Sequence, residues 1–338
     1  MNSRPAYVCA AFVLLAAATS ACGGGGGGGS SLPATSGSGA GAGSATSGPA
    51  TPTPPPVTTF ALSAGAAPQS IVAGPDGNLW FTESHAIGRL TPTGQLTEFP
   101  DSGHGPVDIT VGPDKNLWFT DGPQLGQITT NGTITHFGPY AASSLRGITT
   151  GPDSNIWVGF NGPFAIAKIS ASGVLLGQFA IPSNVGIVQI ASGPDSNLWF
   201  TEPTTSKIGR TTITGSMTEF STPSSAGAWG ITSWTDGNLW FTENAANLTN
   251  HIGRITPNGT ITEFTVPNTT SMLGITSGSD GNLWIADFFS AIKMSTPGQF
   301  QQFAISQANE LDGIAFGPDS NIWLTNVLAN AISKFALR

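Results

Sequence analysis

From residue 57 onward the apolar positions come in short runs that never lengthen into a helical stripe. In one unit they read Ser70-Ile71-Val72-Ala73, Leu79-Trp80-Phe81-Thr82, Ile87-Gly88-Arg89-Leu90 and Leu96-Thr97-Glu98-Phe99. Clusters of Gly, Pro, Asp and Asn separate the runs. Short runs rich in β-branched and aromatic residues, bounded by such turn formers, predict strands. The unit recurs around Trp80, Trp118, Trp157, Trp199, Trp240, Trp284 and Trp323, with spacings of 38, 39, 42, 41, 44 and 39 residues. Every copy keeps an Asp four residues before the Trp and an Asn two before it, from Asp76 and Asn78 to Asp319 and Asn321. A period near forty means an array of small supersecondary units. Four antiparallel strands per unit and seven units predict an all-β fold, a seven-bladed β-propeller.

The turn between the third and fourth strands carries Gly in six units: Gly94, Gly132, Gly173, Gly215, Gly259 and Gly298. A two-residue hairpin loop there needs positive φ, which Gly supplies cheaply. That loop length predicts Arg89 opposite Glu98, Arg210 opposite Glu219 and Arg254 opposite Glu263. It also sets His136 opposite Gln127, on the sheet surface. The last unit ends after its third strand, Ala331-Ile332-Ser333-Lys334-Phe335. Val57-Thr58-Thr59-Phe60-Ala61 matches the missing fourth strand. The N-terminal segment is therefore expected to complete the last blade, which leaves no unfinished sheet edge.

Residues 1–22 read as an export signal. Arg4 precedes an apolar stretch from Ala6 to Ala18, and small residues follow. Thr19-Ser20-Ala21-Cys22 resembles a bacterial lipobox, in which the cysteine is lipidated; Thr19 departs from the Leu usual at its first position. Cys22 is thus the expected lipid attachment point, and the chain an exported, membrane-anchored lipoprotein. Cys9 falls within the signal, so the mature chain holds no internal disulfide. Residues 23–56 are almost wholly Gly, Ser, Ala, Thr and Pro, a composition that cannot build a core and reads as a tether. Residues 57–338 are the propeller. Charged residues make up only 9% of the chain and the net charge is −8, with no basic run. Nucleic acid is an unsuitable partner for such a surface. A monomer is expected.

The sequences GPDGNLWFTE and IGRITPNGTITEF resemble the repeat of the virginiamycin B lyase (streptogramin lyase) family, across all seven units. The resemblance implies a seven-bladed propeller closed by its N-terminal strand. It also implies elimination chemistry that opens a cyclic depsipeptide with the help of magnesium. In that family a His precedes the first strand of each of the last two blades, and a Glu follows the second strand of the last. The corresponding positions here, around all seven blades, are Gln69, Val107, Arg146, Val188, Trp229, Leu273 and Asp312, none of them His. Asn326 and Val327 stand where the acid is expected. Carbon-bound proton abstraction needs a base such as His or a carboxylate of raised pKa. Leu273 cannot serve, and Asp312 is the one catalytic candidate.

Three residues after each Trp stand Glu83, Asp121, Phe160, Glu202, Glu243, Asp287 and Asn326. The five acids among them can either bond backbone and Thr groups within the sheet or attract a cation such as magnesium or calcium through oxygen ligands. Asp108, Asp312, Arg146, Trp229 and His104 join this end from the entering loops and are candidate ligand-binding residues. Trp229, outside the seven repeat positions, can stack on a sugar or a cyclic peptide, or plug the channel. Trp234 reads as packing. His85 and His251 flank third-strand starts at the same end and read as solvated. No Ser-His-Asp order, phosphate loop or Cys/His cluster appears. Two readings follow: a non-catalytic, envelope-anchored module that binds a small molecule, peptide or envelope component at the acidic end of the channel, or a lyase with an altered catalytic set.

Overall fold

The structure, a computed structural model, describes residues 56–247 and 249–337. The expected signal, tether and Cys22 lie outside the described residues. The first described strand, β1 (Val57–Ala61), joins the sheet formed by the last strands of the sequence. Blade one follows: β2 (Ile71–Ala73), β3 (Leu79–Thr82), β4 (Ala86–Leu90) and β5 (Leu96–Pro100), in that order across an antiparallel sheet. Six further blades repeat the plan, so all seven sheets have four strands. The first strands of successive blades pack side by side, and that of the last blade returns to β2.

The last blade takes β1 as its outer strand, as the pattern of residues 57–61 anticipated. Val57 pairs with Phe335 and Ala61 with Ala331. Phe60 stacks on Trp323 at 5.6 Å, repeating the stack of each blade Trp on its own outer-strand Phe, such as Trp80 on Phe99. Seven hydrophobic clusters form among the described residues, several of them plainly straddling two blades. Trp323 and Ile332, for example, pack with Ile71, Leu79 and Phe81 of blade one. Burial therefore accrues at blade interfaces and needs no single central core.

The repeat signature has a local explanation. In every blade the Asp carboxylate accepts the indole N–H of the Trp four residues on, at 2.9–3.1 Å. It also accepts the N–H of the Asn between them, as Asp76 does from Asn78. A fully buried Trp thus satisfies its one polar group at the blade's end. The hydrogen bonds to Trp80 and Asn78 hold the Asp76 carboxyl below its usual range despite burial.

The third-to-fourth-strand register differs from expectation by one residue. Glu98 lies opposite Gly88, and Arg89 opposite Thr97; Glu219 and Glu263 are likewise opposite Gly209 and Gly253. The turn is one residue longer than two. Thr91 N–H bonds Gln95 O and Gly94 N–H bonds Thr91 O, with Gly94 at φ 97°, a type I turn followed by a bulged glycine. Glycine is required for a second reason, since a Cβ on Gly94 would come within 2.5 Å of the Phe60 ring. Freed from the predicted ion pair, Arg89 lies over Trp80 at 5.5 Å and donates to Thr130 O at 2.9 Å in the next blade's turn. Arg210 does the same with Trp199 and Pro257 O. These cations therefore link blades, where facing charges would have linked strands.

The same register change relocates His136. It pairs with Gly126, while Gln127 pairs with Thr135. Its ring meets Phe119 edge-on at 6.1 Å, next to two carboxylates, so it is not a plain surface residue. Trp234 packs edge-on against Trp240 at 5.3 Å.

Candidate functional site

Of the seven residues that precede the first-strand apolar run, four are held by Thr hydroxyls of the neighbouring blade. Thr82 donates to Val107 O at 2.7 Å, Thr201 to Trp229 O at 2.7 Å, Thr242 to Leu273 O at 2.9 Å and Thr325 to Gln69 O at 2.7 Å. Each hydroxyl also accepts an N–H from its own blade's first strand: Ser70, Gln189, Gly230 and Gly313, at 2.7–3.1 Å. In blades one, four, five and seven one Thr side chain thus fixes two inner strands, and the bond from Thr325 joins the last blade to the first. The strands approach so closely that a Cβ on Gly230, Gly274 or Gly313 would lie within 2.5 Å of the neighbouring carbonyl. Ladder register breaks at this level in blades two, three, five, six and seven, between Arg146 and Ile148 for instance. Bulges of this kind re-aim side chains.

Gln69, Val107, Arg146, Val188, Trp229, Leu273 and Asp312 occupy this level, and all seven are partly exposed. The set combines one carboxamide, one indole, one guanidinium and one carboxylate with three aliphatic groups. Asp108 stands one residue deeper. Its Oδ2 accepts the Gly147 N–H at 2.9 Å, so it is spent on joining blades two and three. Burial pushes its carboxyl up, against the opposing pull of the Arg146 charge and the Gly147 N–H. Gln189 plays the same part toward Ile231 N–H, at 2.7 Å.

The five acids after the blade Trp residues are buried, at 0–3% exposure, and turned toward the loops that enter their blades. Glu202 accepts from Ser183 Oγ at 2.5 Å and Thr205 Oγ1 at 3.0 Å. Glu243 accepts from Ser224 Oγ at 3.4 Å. Asp287 accepts the N–H groups of Thr270 and Ser271 and the hydroxyl of Ser290. Asp121 accepts the His104 N–H at 2.6 Å. The acids thus lie within separate blades, each beside its loop. Burial, reinforced by Glu98, raises Glu83 to about 7, and burial reinforced by Glu263 raises Glu243 to about 8. Burial likewise pushes Glu202 and Asp287 up. His104 itself is exposed, with its Nδ1 3.8 Å from Asp121 Oδ2.

Asn326 stands where the family resemblance leads one to expect an acid. Its Oδ1 accepts from Asn309 N–H and its Nδ2 donates to Gln307 O, both at 2.9 Å, and the residue is fully buried. Val327 beside it is buried too. A hard divalent cation needs several oxygen ligands. With Asp108 and Asn326 committed to the backbone, this level does not fit the magnesium that the family resemblance implies.

Sequence reasoning missed the grouping of Asp101, Asp121 and His136 in blade two, and that of Glu243, His251 and Glu263 in blade five. The signal was present in the substitution of His136 for the outer-strand Glu, but the register error pointed it the wrong way.

Residues 51–187 and 139–338 match the virginiamycin B lyase family. Among solved structures, a streptogramin B lyase is 30% identical with a TM-score of 0.76, over 83% of this chain and 97% of its own. A catalytically inactive variant of virginiamycin B lyase from Staphylococcus aureus, solved with quinupristin, is also 30% identical with a TM-score of 0.76, over 84% and 99%. The extracellular domain of a putative hybrid two-component system from B. thetaiotaomicron shares the fold at 13% identity and a TM-score of 0.69, over 83% of this chain and 43% of its own. No curated protein matches.

Proposed function

The chain belongs to the virginiamycin B lyase family, and from that premise we propose that it is an exported binding propeller that holds a cyclic peptide or similar small ligand at the channel mouth without opening it. One observation carries the reading: the mouth positions are Gln69, Val107, Arg146, Val188, Trp229, Leu273 and Asp312, with no imidazole among them. Trp229 supplies a face for stacking, Arg146 a donor for carbonyl or carboxylate groups, and Val107, Val188 and Leu273 an apolar bed. General base catalysis is worth roughly 10²–10⁴-fold, and neither Leu273 nor Asn326 can supply it. The binding end is the one that sequence reasoning chose, but the ligand meets this mixed ring, since the five blade acids turn to their loops. Export through residues 1–22 and anchoring through Cys22 complete the proposal; Cys22→Ser should then release the protein from the membrane fraction.

Quinupristin, the ligand of the S. aureus relative, is the probe. Calorimetry should detect its binding, mass spectrometry should find no linear product above buffer, and Trp229→Ala should weaken binding at least tenfold. Absence of binding would defeat the ligand assignment. The 30% identity to a streptogramin B lyase favours a second reading, elimination with Asp312 as the base. A linear product that disappears in Asp312→Ala would establish it and refute the first.

A further inference from the structure

Blade two departs from the device used in blades one, four and five. There an outer-strand glutamate accepts the backbone N–H of a serine in the entering loop: Glu98 from Ser63 at 3.2 Å, Glu219 from Ser183 at 2.7 Å and Glu263 from Ser224 at 2.9 Å. In blade two the outer-strand residue is His136, and the entering loop contributes Asp101. Asp101 stands where the other three loops carry Leu62, Ile181 and Thr222, whose N–H groups make the same bond to the residue before the third strand of the preceding blade, so a carboxylate has entered the loop. Asp121 from the second strand completes the group.

The atoms that face one another there lack hydrogen-bond partners. The Asp101 and Asp121 side chains are 1% and 0% exposed. Both oxygens of Asp101, Oδ2 of Asp121 and Nε2 of His136 make no hydrogen bond. His136 Nε2 lies 3.1 Å from Asp101 Oδ1 and 3.5 Å from Asp121 Oδ2, without hydrogen-bond geometry in either direction. Buried carboxylate oxygens without donors are costly, and one imidazole has at most one proton to offer at Nε2. The spacing suits a metal. Bonds near 2.0–2.1 Å in a tetrahedron place ligand atoms about 3.3–3.4 Å apart. The backbone is built for the approach as well: a Cβ on Gly103 would fall 1.7 Å from Asp121 Oδ2, so the loop closes over the carboxylate because residue 103 is glycine.

We propose that Asp101, Asp121 and His136 form a binding site for a divalent transition metal of the zinc type, tying the loop that enters blade two to its second and outer strands. One imidazole and two carboxylates suit zinc better than magnesium or calcium, which take oxygen ligands. The His136 side chain is 27% exposed, which leaves a side for water or a further ligand. The site shares no residue with the channel-mouth set.

The test uses the full chain with Cys9 and Cys22 changed to serine, so that no thiol competes for metal. Zinc titrated by calorimetry should bind with a stoichiometry of one, and cobalt should give the visible absorption of a four- or five-coordinate site. Asp121→Asn and His136→Gln should each weaken zinc binding at least 100-fold, with Asp121→Asn checked for native circular dichroism. His136→Gln, at a partly exposed position, decides the matter if Asp121→Asn misfolds. Glu263→Gln, in the blade-five grouping, should leave the affinity unchanged. No zinc binding to the parent chain would overturn the proposal. Equal binding by His136→Gln, or loss in Glu263→Gln, would overturn it too. Neither result bears on quinupristin at the channel mouth.

Discussion

At the residue scale, the buried acids make stability depend on pH in a definite direction. Glu243 has an ordinary value of 4.5 and is raised to about 8 by burial and by Glu263. Glu83 is raised from 4.5 to about 7 by burial and by Glu98. Between these limits the folded chain keeps protons that the unfolded chain releases, so the unfolded state gains as pH rises. The stabilisation is fully present below about 4.5, declines through the window and levels off above about 8. Asp76, Asp153, Asp195 and Asp319 work in the opposite sense: their carboxyls are lowered, so their contribution is lost as pH falls below the usual carboxylate range. Maximum stability is expected in mildly acidic solution. Thermal melts should show a lower midpoint at pH 8.5 than at pH 5.5, and Glu243→Gln should narrow that gap. An unchanged gap in the variant would mean that Glu243 is ionised in the folded chain.

At the scale of elements, the outer strand of the last blade is the vulnerable one, because no hairpin turn connects it to the strand it pairs with. Phe60 anchors it by stacking on Trp323 and by lying under Gly94 of the neighbouring turn. Large-to-small replacement of a buried Phe costs about 3–5 kcal/mol, and Phe60 is partly exposed, so Phe60→Ala should cost about 2–3 kcal/mol. Denaturant melts compared with Phe99→Ala, its counterpart within blade one, separate side-chain loss from strand release. If β1 detaches, Phe60→Ala alone should show hydrogen exchange at residues 331–335 faster than its global stability allows.

For the whole molecule, ring closure rests on two seams, β1 at the rim and the Thr325 hydroxyl at the centre. That hydroxyl donates to Gln69 O and accepts from Gly313 N–H, joining the last blade to the first. Thr325→Val keeps the shape and leaves both groups unpaired in a buried place, at a cost of about 1–3 kcal/mol. Gly159 and Ala286 occupy the equivalent positions in blades three and six, so the ring tolerates the lack of a hydroxyl and the variant should still fold. Chemical denaturation of Thr325→Val should give one cooperative transition at lower midpoint. A second, earlier transition would mean that the blades open at this seam independently.

The sequence alone determined the blade count, the strand order and the N-terminal closure, because each blade repeats its own short-range rules. Asp76 and Asn78 sit four and two residues from Trp80, and Gly94 lies within its own turn, so their interactions are written in local spacing. Comparison of Leu273, Asp312 and Asn326 with the family pattern was legible for the same reason. Contacts between blades were not. A single added residue in the third-to-fourth-strand turn moved Glu98 from Arg89 to Gly88 and His136 from Gln127 to Gly126, and pairing has a period of two, so every cross-strand inference there changed partner. The five blade acids looked like a ring because spacing in the chain says nothing about which way a side chain turns. Tertiary structure decided that they meet the entering loops, and it alone brought Asp101 to Asp121 and His136.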